Sequence, residues 1–122
     1  MRAIVQRVSE ARAVIGGETV GAIGPGMLVL VCAMPGDGTT TADRLLDKLL
    51  KLRIFQNAAG KLDHSLSDMD GEGRVGGLLL VSQFTLAADL SGGNRPSFKA
   101  AAPPTEAQAL FTHLVTQARA RH

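Results

Sequence analysis

Ser82, Gln83 and Thr85 stand where an apolar run, Gly77-Leu78-Leu79-Leu80-Val81, gives way to polar residues. A buried strand ending there presents a hydroxyl, an amide and a second hydroxyl to a cleft, and a strand end fixes such groups in place. These residue types suit acyl chemistry. Hydrolysis of an ester needs a nucleophile aimed at the carbonyl, donors for the oxyanion and something to manage protons. The backbone amides around Phe84 and Thr85 are candidates for the oxyanion role. Removing one such donor typically costs about 2.7 to 4 kcal/mol, so positioning and one or two donors supply much of the acceleration for an already activated ester. The competing reading is that Ser82 and Thr85 only cap backbone groups at the strand end.

Other chemistries find less support. His64 falls in a variable loop, His113 on a helix, and His122 is the last residue; no HxH, HExxH or Cys-His spacing suggests a metal, and none is expected. No Gly-x-Ser-x-Gly elbow surrounds Ser82, which argues against the usual serine hydrolase. An isolated Thr85 has no visible partner to take its proton, which disfavours it as a nucleophile. Cys32 is the single cysteine and lies within Leu28-Val29-Leu30-Val31-Cys32-Ala33, so it reads as a small buried hydrophobe. No intrachain disulfide is possible, in keeping with a reducing compartment.

The elements that must position these residues fit one domain, expected over residues 1–122. A hydrophobic share of 45% with 20% charged residues describes a folded chain. Four Phe with neither Trp nor Tyr argue against a platform for stacking single-stranded bases. The net charge of +2 hints only weakly at a polyanion, and Lys48, Lys51, Arg53, Arg119 and Arg121 read as solvated faces. The N-terminus lacks an apolar signal core, and no apolar run is long enough for a bilayer. A cytoplasmic protein without a membrane partner is expected.

Alternation predicts a strand over 2–8 and a hairpin of 12–15 and 18–23 closed by Gly16-Gly17. Residues 27–33 are apolar on both faces and read as a central strand. Pro35-Gly36-Asp37-Gly38 ends that sheet, and Thr39-Thr40-Thr41 offers caps for a helix over about 40–52, with Asp43 in its first turn. Ala42, Leu45, Leu46, Leu49 and Leu52 share its apolar stripe. A short strand over 53–56, a turn over 57–61 and a mobile surface loop over 63–74 follow. A strand over 77–86 would place Phe84 in the core and Gln83 with Thr85 on the opposite, exposed face, with Ser82 beside Phe84. Residues 99–104 read as a linker. Pro103-Pro104-Thr105-Glu106 then opens a second helix whose Ala107, Leu110, Phe111, Leu114, Val115 and Ala118 cover the sheet. The class is α+β, an antiparallel sheet or partial barrel with two long helices.

Ser-Gln-Phe-Thr-Leu-Ala-Ala-Asp over 82–89, followed by Arg95-Pro96-Ser97-Phe98, resembles the D-aminoacyl-tRNA deacylases. Gln6-Arg7-Val8, Ile23-Gly24-Pro25-Gly26 and Arg53-Ile54-Phe55 agree in order and spacing, so the resemblance spans almost the whole chain. It implies hydrolysis of the ester between a D-amino acid and the 3′ end of tRNA, by a homodimer with pockets at its interface, without cofactor or metal. Thr85 is then either the nucleophile or a residue shaping a pocket in which the terminal adenosine's 2′-hydroxyl activates water, and the second reading is preferred. Ser82 and Gln83 join it as catalytic candidates. Arg7 resembles the family arginine that braces the pocket; Arg95, Ser97, Phe98 and Phe84 would form the rim for the tRNA end, arginine meeting phosphate and phenylalanine a base. The family's Gly-Pro-Val-Thr motif, which excludes L-amino acids, does not occur in residues 1–122. The alternative is a non-catalytic or non-selective, truncated dimeric domain that binds RNA ends.

Overall fold

The computed structural model describes all residues, Met1–His122, in a mixed α+β order. Strands β1 (Arg2–Val8), β2 (Ala11–Ile15), β3 (Glu18–Ile23) and β4 (Gly26–Cys32) precede helix α1 (Thr39–Lys51). Strands β5 (Phe55–Gln56), β6 (Leu62–His64) and β7 (Gly77–Ser82), a 3₁₀ turn (Phe84–Ala87) and helix α2 (Pro104–Arg121) complete the chain. The sheets are open: β1-β4-β7 in that order, and the two antiparallel hairpins β2-β3 and β5-β6. The chain packs as two compact units, Met1–Ile4 with Leu30–Leu46 and Ser82–His122, and Val5–Val29 with Asp47–Val81.

In the unit holding residues 82–122, the end of β4 is apolar on both faces, as a central strand must be, with Val31, Cys32 and Ala33 buried. Thr41 Oγ1 accepts the Gly38 N–H at 3.2 Å, so the cap of α1 reaches back from inside its first turn. Asp43 lies beyond that turn, contrary to the sequence reading, and pairs with His113 of α2 at 2.8 Å. Ala42 and Leu46 bury the stripe of α1; Leu110, Leu114 and Ala118 bury that of α2. Leu110 packs with Ala33, Ala102 and Ala107. Residues 99–104 are therefore more than a linker: Ala102 is core, and its N–H donates to the Ala33 carbonyl at 3.2 Å.

In the other unit, Gly16 and Gly17 take φ of 58° and 80°, the left-handed values a two-residue hairpin turn requires. Gly26 faces backbone: a Cβ there would sit 2.0 Å from the Gly77 carbonyl oxygen, so only glycine fits. The strand expected over 53–56 shortens to Phe55–Gln56, because Arg53 instead ion-pairs with Asp63 and donates from Nε to its carbonyl at 2.8 Å. Hydrogen bonds from Arg53 and Asn57 hold the Asp63 carboxyl below the usual carboxylate range.

The segment 63–74 departs from the expected surface loop. Asp63 and His64 belong to β6, and Leu66 is fully buried. The Gly76 N–H donates to the Leu66 carbonyl at 2.8 Å, and Asp68 and Asp70 accept backbone N–H groups of Gly73, Glu72 and Arg74. Amides of Glu72 and Arg74 lower the Asp70 pKa. Polar composition hid this arrangement, since its carboxylates bond to local backbone and its single large apolar anchor breaks no pattern. Leu66→Ala is expected to cost about 2 to 5 kcal/mol in urea unfolding. The exposed Val75→Ala should stay within about 0.5 kcal/mol, and equal, small effects would show that Leu66 anchors nothing.

Candidate active site

The site begins where β7 stops. Gln83 is still extended, with φ −143° and ψ 93°, and its N–H donates to the Val31 carbonyl at 2.8 Å. The next carbonyl after Cys32, that of Ala33, accepts from Ala102 at 3.2 Å and not from the chain that follows β7. Residues 84–87 coil into the 3₁₀ turn instead of continuing the expected strand to 86. Arg2 Nη1 donates to the Leu86 carbonyl at 3.0 Å and ties the turn down, while the Cys32 thiol lies 3.4 Å from the Ala33 carbonyl and 3.7 Å from that of Phe84. The N–H groups of Phe84 and Thr85 find no acceptor in the structure. They are the leading amides of a helical turn, which by construction lack partners.

Loss of the strand geometry changes the side chains as well. Phe84 is 61% exposed, contrary to the core position that alternation gave it. Its ring meets that of Phe98 edge to face, with centroids 5.1 Å apart and planes at 76°. Ser82, Phe84, Phe98, Lys99, Pro104 and Gln108 are among the residues lining a cleft of about 500 Å³. Thr85 is exposed and Gln83 half-buried; the Gln83 amide donates to Thr85 Oγ1, and neither side chain lines the cleft.

The expected rim comes together only in part. Phe98 lines the cleft, whereas Arg95 is exposed outside it and Ser97 exchanges backbone bonds with Asp89 at 2.8 and 2.9 Å. Arg7 belongs to the other unit. There its Nη1 donates to the Ile54 carbonyl at 3.1 Å, beside a cleft of 240 Å³ lined by Val5, Leu52 and Leu62. Lys99 and Gln108 went unnoticed in the sequence. The signal available was the Pro103-Pro104 helix start, which marks Lys99 as close before the first turn of α2 and Gln108 as close after it.

The three histidines lie away from the turn's hydrogen bonds. His113 is engaged by Asp43, His64 lies in β6 of the other unit, and His122 closes α2. No group of three or more His, Cys, Asp or Glu side chains could hold a metal ion. Burial pushes the Cys32 thiol up, so little thiolate forms near neutral pH. The Ser91 amide and side chain lower the Asp89 pKa, so this carboxylate closes its own turn. Two unpaired amides, small polar groups and an aromatic-walled cleft can bind an ester and stabilise its oxyanion.

Comparison with known proteins agrees with that chemistry. A family model described as D-Tyr-tRNA(Tyr) deacylase matches residues 4–122. The D-aminoacyl-tRNA deacylase of Albidiferax ferrireducens is 62% identical over 122 residues, all of this chain and 77% of that protein. The protein of the same name from Polaromonas naphthalenivorans is also 62% identical, over 100% of this chain and 79% of its own length. Among solved structures, the c-Myc DNA Unwinding Element Binding Protein superposes with a TM-score of 0.85 at 34% identity, covering 100% of this chain and 78% of that one. A probable eukaryotic D-amino acid tRNA deacylase superposes with a TM-score of 0.72 at 17% identity over 97% of this chain and 66% of that one, a likeness of fold.

The buried, high-pKa Cys32 thiol should react with an aromatic disulfide reagent only as fast as the protein opens. Modification at the free-thiol rate in native buffer would contradict its placement.

Proposed function

The chain belongs to the D-Tyr-tRNA(Tyr) deacylase family, and from that premise we propose that it hydrolyses the ester joining a D-amino acid to the 3′-terminal ribose of tRNA. The products are the free D-amino acid and tRNA, a proofreading step for translation. The observation that carries the reading is the pair of unpaired amides, Phe84 and Thr85, on an exposed turn whose Phe84 lines the cleft. These N–H groups would donate to the ester carbonyl oxygen as it becomes an oxyanion.

Water attacks the carbonyl carbon in this scheme, the C–O bond to the ribose breaks, and the ribose oxygen leaves with a proton. The substrate's neighbouring 2′-hydroxyl manages that proton, since the Thr85 hydroxyl hydrogen-bonds the Gln83 amide and no imidazole or carboxylate. The Thr85 hydroxyl accepts the Gln83 amide, and no base is placed to receive its own proton, so Thr85 serves as a positioning residue and Gln83 as its brace. Ser82, Phe84 and Phe98 bind substrate from the cleft wall. The non-catalytic alternative is not favoured, because relatives at 62% identity are named as deacylases.

A homodimer in the cytoplasm completes the proposal. Ile4, Phe84 and Leu90 are each more than half exposed, apolar area that a second copy would cover. No helix is long and apolar enough to cross a membrane.

Deacylation of D-Tyr-tRNA by the purified chain tests the activity, and the ratio to L-Tyr-tRNA measures chiral selection in the same assay. Phe84→Pro and Phe84→Ala both lose the ring, but only the first loses the N–H, and a 3₁₀ turn start suits proline. The proline variant should therefore be slower than the alanine variant by about 10²-fold. Thr85→Ala should cost roughly tenfold; a loss on the order of 10⁴-fold or more would make Thr85 the nucleophile. Light scattering should return twice the 12.7 kDa chain mass, and a monomer would overturn the dimer.

A further inference from the structure

We propose that Lys99 is a substrate-binding residue, the cation that meets the phosphodiester on the 5′ side of the terminal nucleoside. This rests on the cleft being the deacylase substrate site. Lys99 is the one charged residue among those lining that cleft. Its backbone N–H reaches Ser97 Oγ at 3.5 Å, while its ammonium group has neither a hydrogen-bond nor an ion-pair partner. No lining carboxylate competes for it; Glu106, in the first turn of α2, lies outside the lining.

Substrate chemistry decides what such a cation can bind. In an aminoacyl ester the amino acid's carboxyl group is neutral and its α-amine is positive, so Lys99 repels that end of the molecule. The anion available is phosphate, and the base beside it suits the Phe84–Phe98 ring pair. Pro104, the first residue of the 18-residue helix α2, also lines the cleft, and the positive end of its dipole adds to the preference for an anion there. Lys99 thereby orients the substrate, nucleotide toward residues 98–104 and ester away from them. The cleft obtains from Lys99 the charge that sequence pattern had given to Arg95.

The test compares the D-tyrosyl ester of adenosine, which carries no phosphate, with the same ester on a CCA trinucleotide. Lys99→Ala should raise KM for the trinucleotide ester about tenfold with kcat unchanged, and leave both constants for the adenosine ester as they were. The slope of log affinity on log salt should shrink by about 0.7, one phosphate contact on a single strand. Lys99→Arg should restore KM. An equal effect on both esters, no effect on either, or an unchanged salt slope would overturn the assignment. Wild-type protein that cleaves neither ester would overturn the deacylase reading and this inference with it.

Discussion

The hydrogen bond from the Gln83 N–H to the Val31 carbonyl is the last rung between β7 and β4, and the candidate site depends on its being the last. Two residues further along, the Ala33 carbonyl accepts from Ala102, and the chain after Gln83 finds its bonds locally. A 3₁₀ turn satisfies the carbonyls of Gln83 and Thr85 but leaves the leading amides of Phe84 and Thr85 without acceptors. The unpaired donors thus follow from the turn itself, which starts where a distant segment meets the end of β4. Ala102 takes part in the core with Ala33 and Leu110 and sets the boundary of the strand at the same time.

Local rules made most of the frame legible. The Gly16-Gly17 hairpin, the doubly apolar β4 and the leucine stripe of α1 each carry a periodicity or a turn signal strong enough to stand alone. The end of β7 could not be read that way. Ser-Gln-Phe-Thr continues a plausible alternation, and only the partner strand's supply of acceptors shows that pairing stops at Ser82. Phe84 was misplaced for that reason, since a turn puts on the surface a ring that a strand would have buried. Leu66 and residues 99–104 were hidden differently: one buried leucine or alanine among polar or small residues has no period to betray it.

A site made this way suits an ester of a vicinal diol. The bond is already activated, so the protein's share of the barrier falls on placing the carbonyl and stabilising its developing charge. Backbone amides do this without reorganising and without a pKa of their own, which fits a turn whose polar side chains bond one another and beside which the lone thiol is raised by burial. Because the donors are main-chain atoms, the side chains around them are freed for other tasks. Gln83 and Thr85 brace one another, and Phe84 and Phe98 form the aromatic wall.

The candidate donors and most of the cleft wall lie on different segments of the same unit, and Phe84 belongs to both. The turn is anchored by Arg2 through the Leu86 carbonyl and by the β4 end through Val31, contacts that do not touch the cleft's contents. Apart from Ser82 and Phe84, the cleft wall comes from residues 98–104 and the start of α2, with Ala102 and Leu110 in the core. Substitutions in residues 98–104 alter the cleft without touching the turn's own hydrogen bonds. Substitutions that move the turn displace the amides even when no wall residue changes, and a displacement of about 1 Å is enough to cost a large factor in rate. Residues outside the turn, Ala102 among them, thereby bear on where the candidate donors stand.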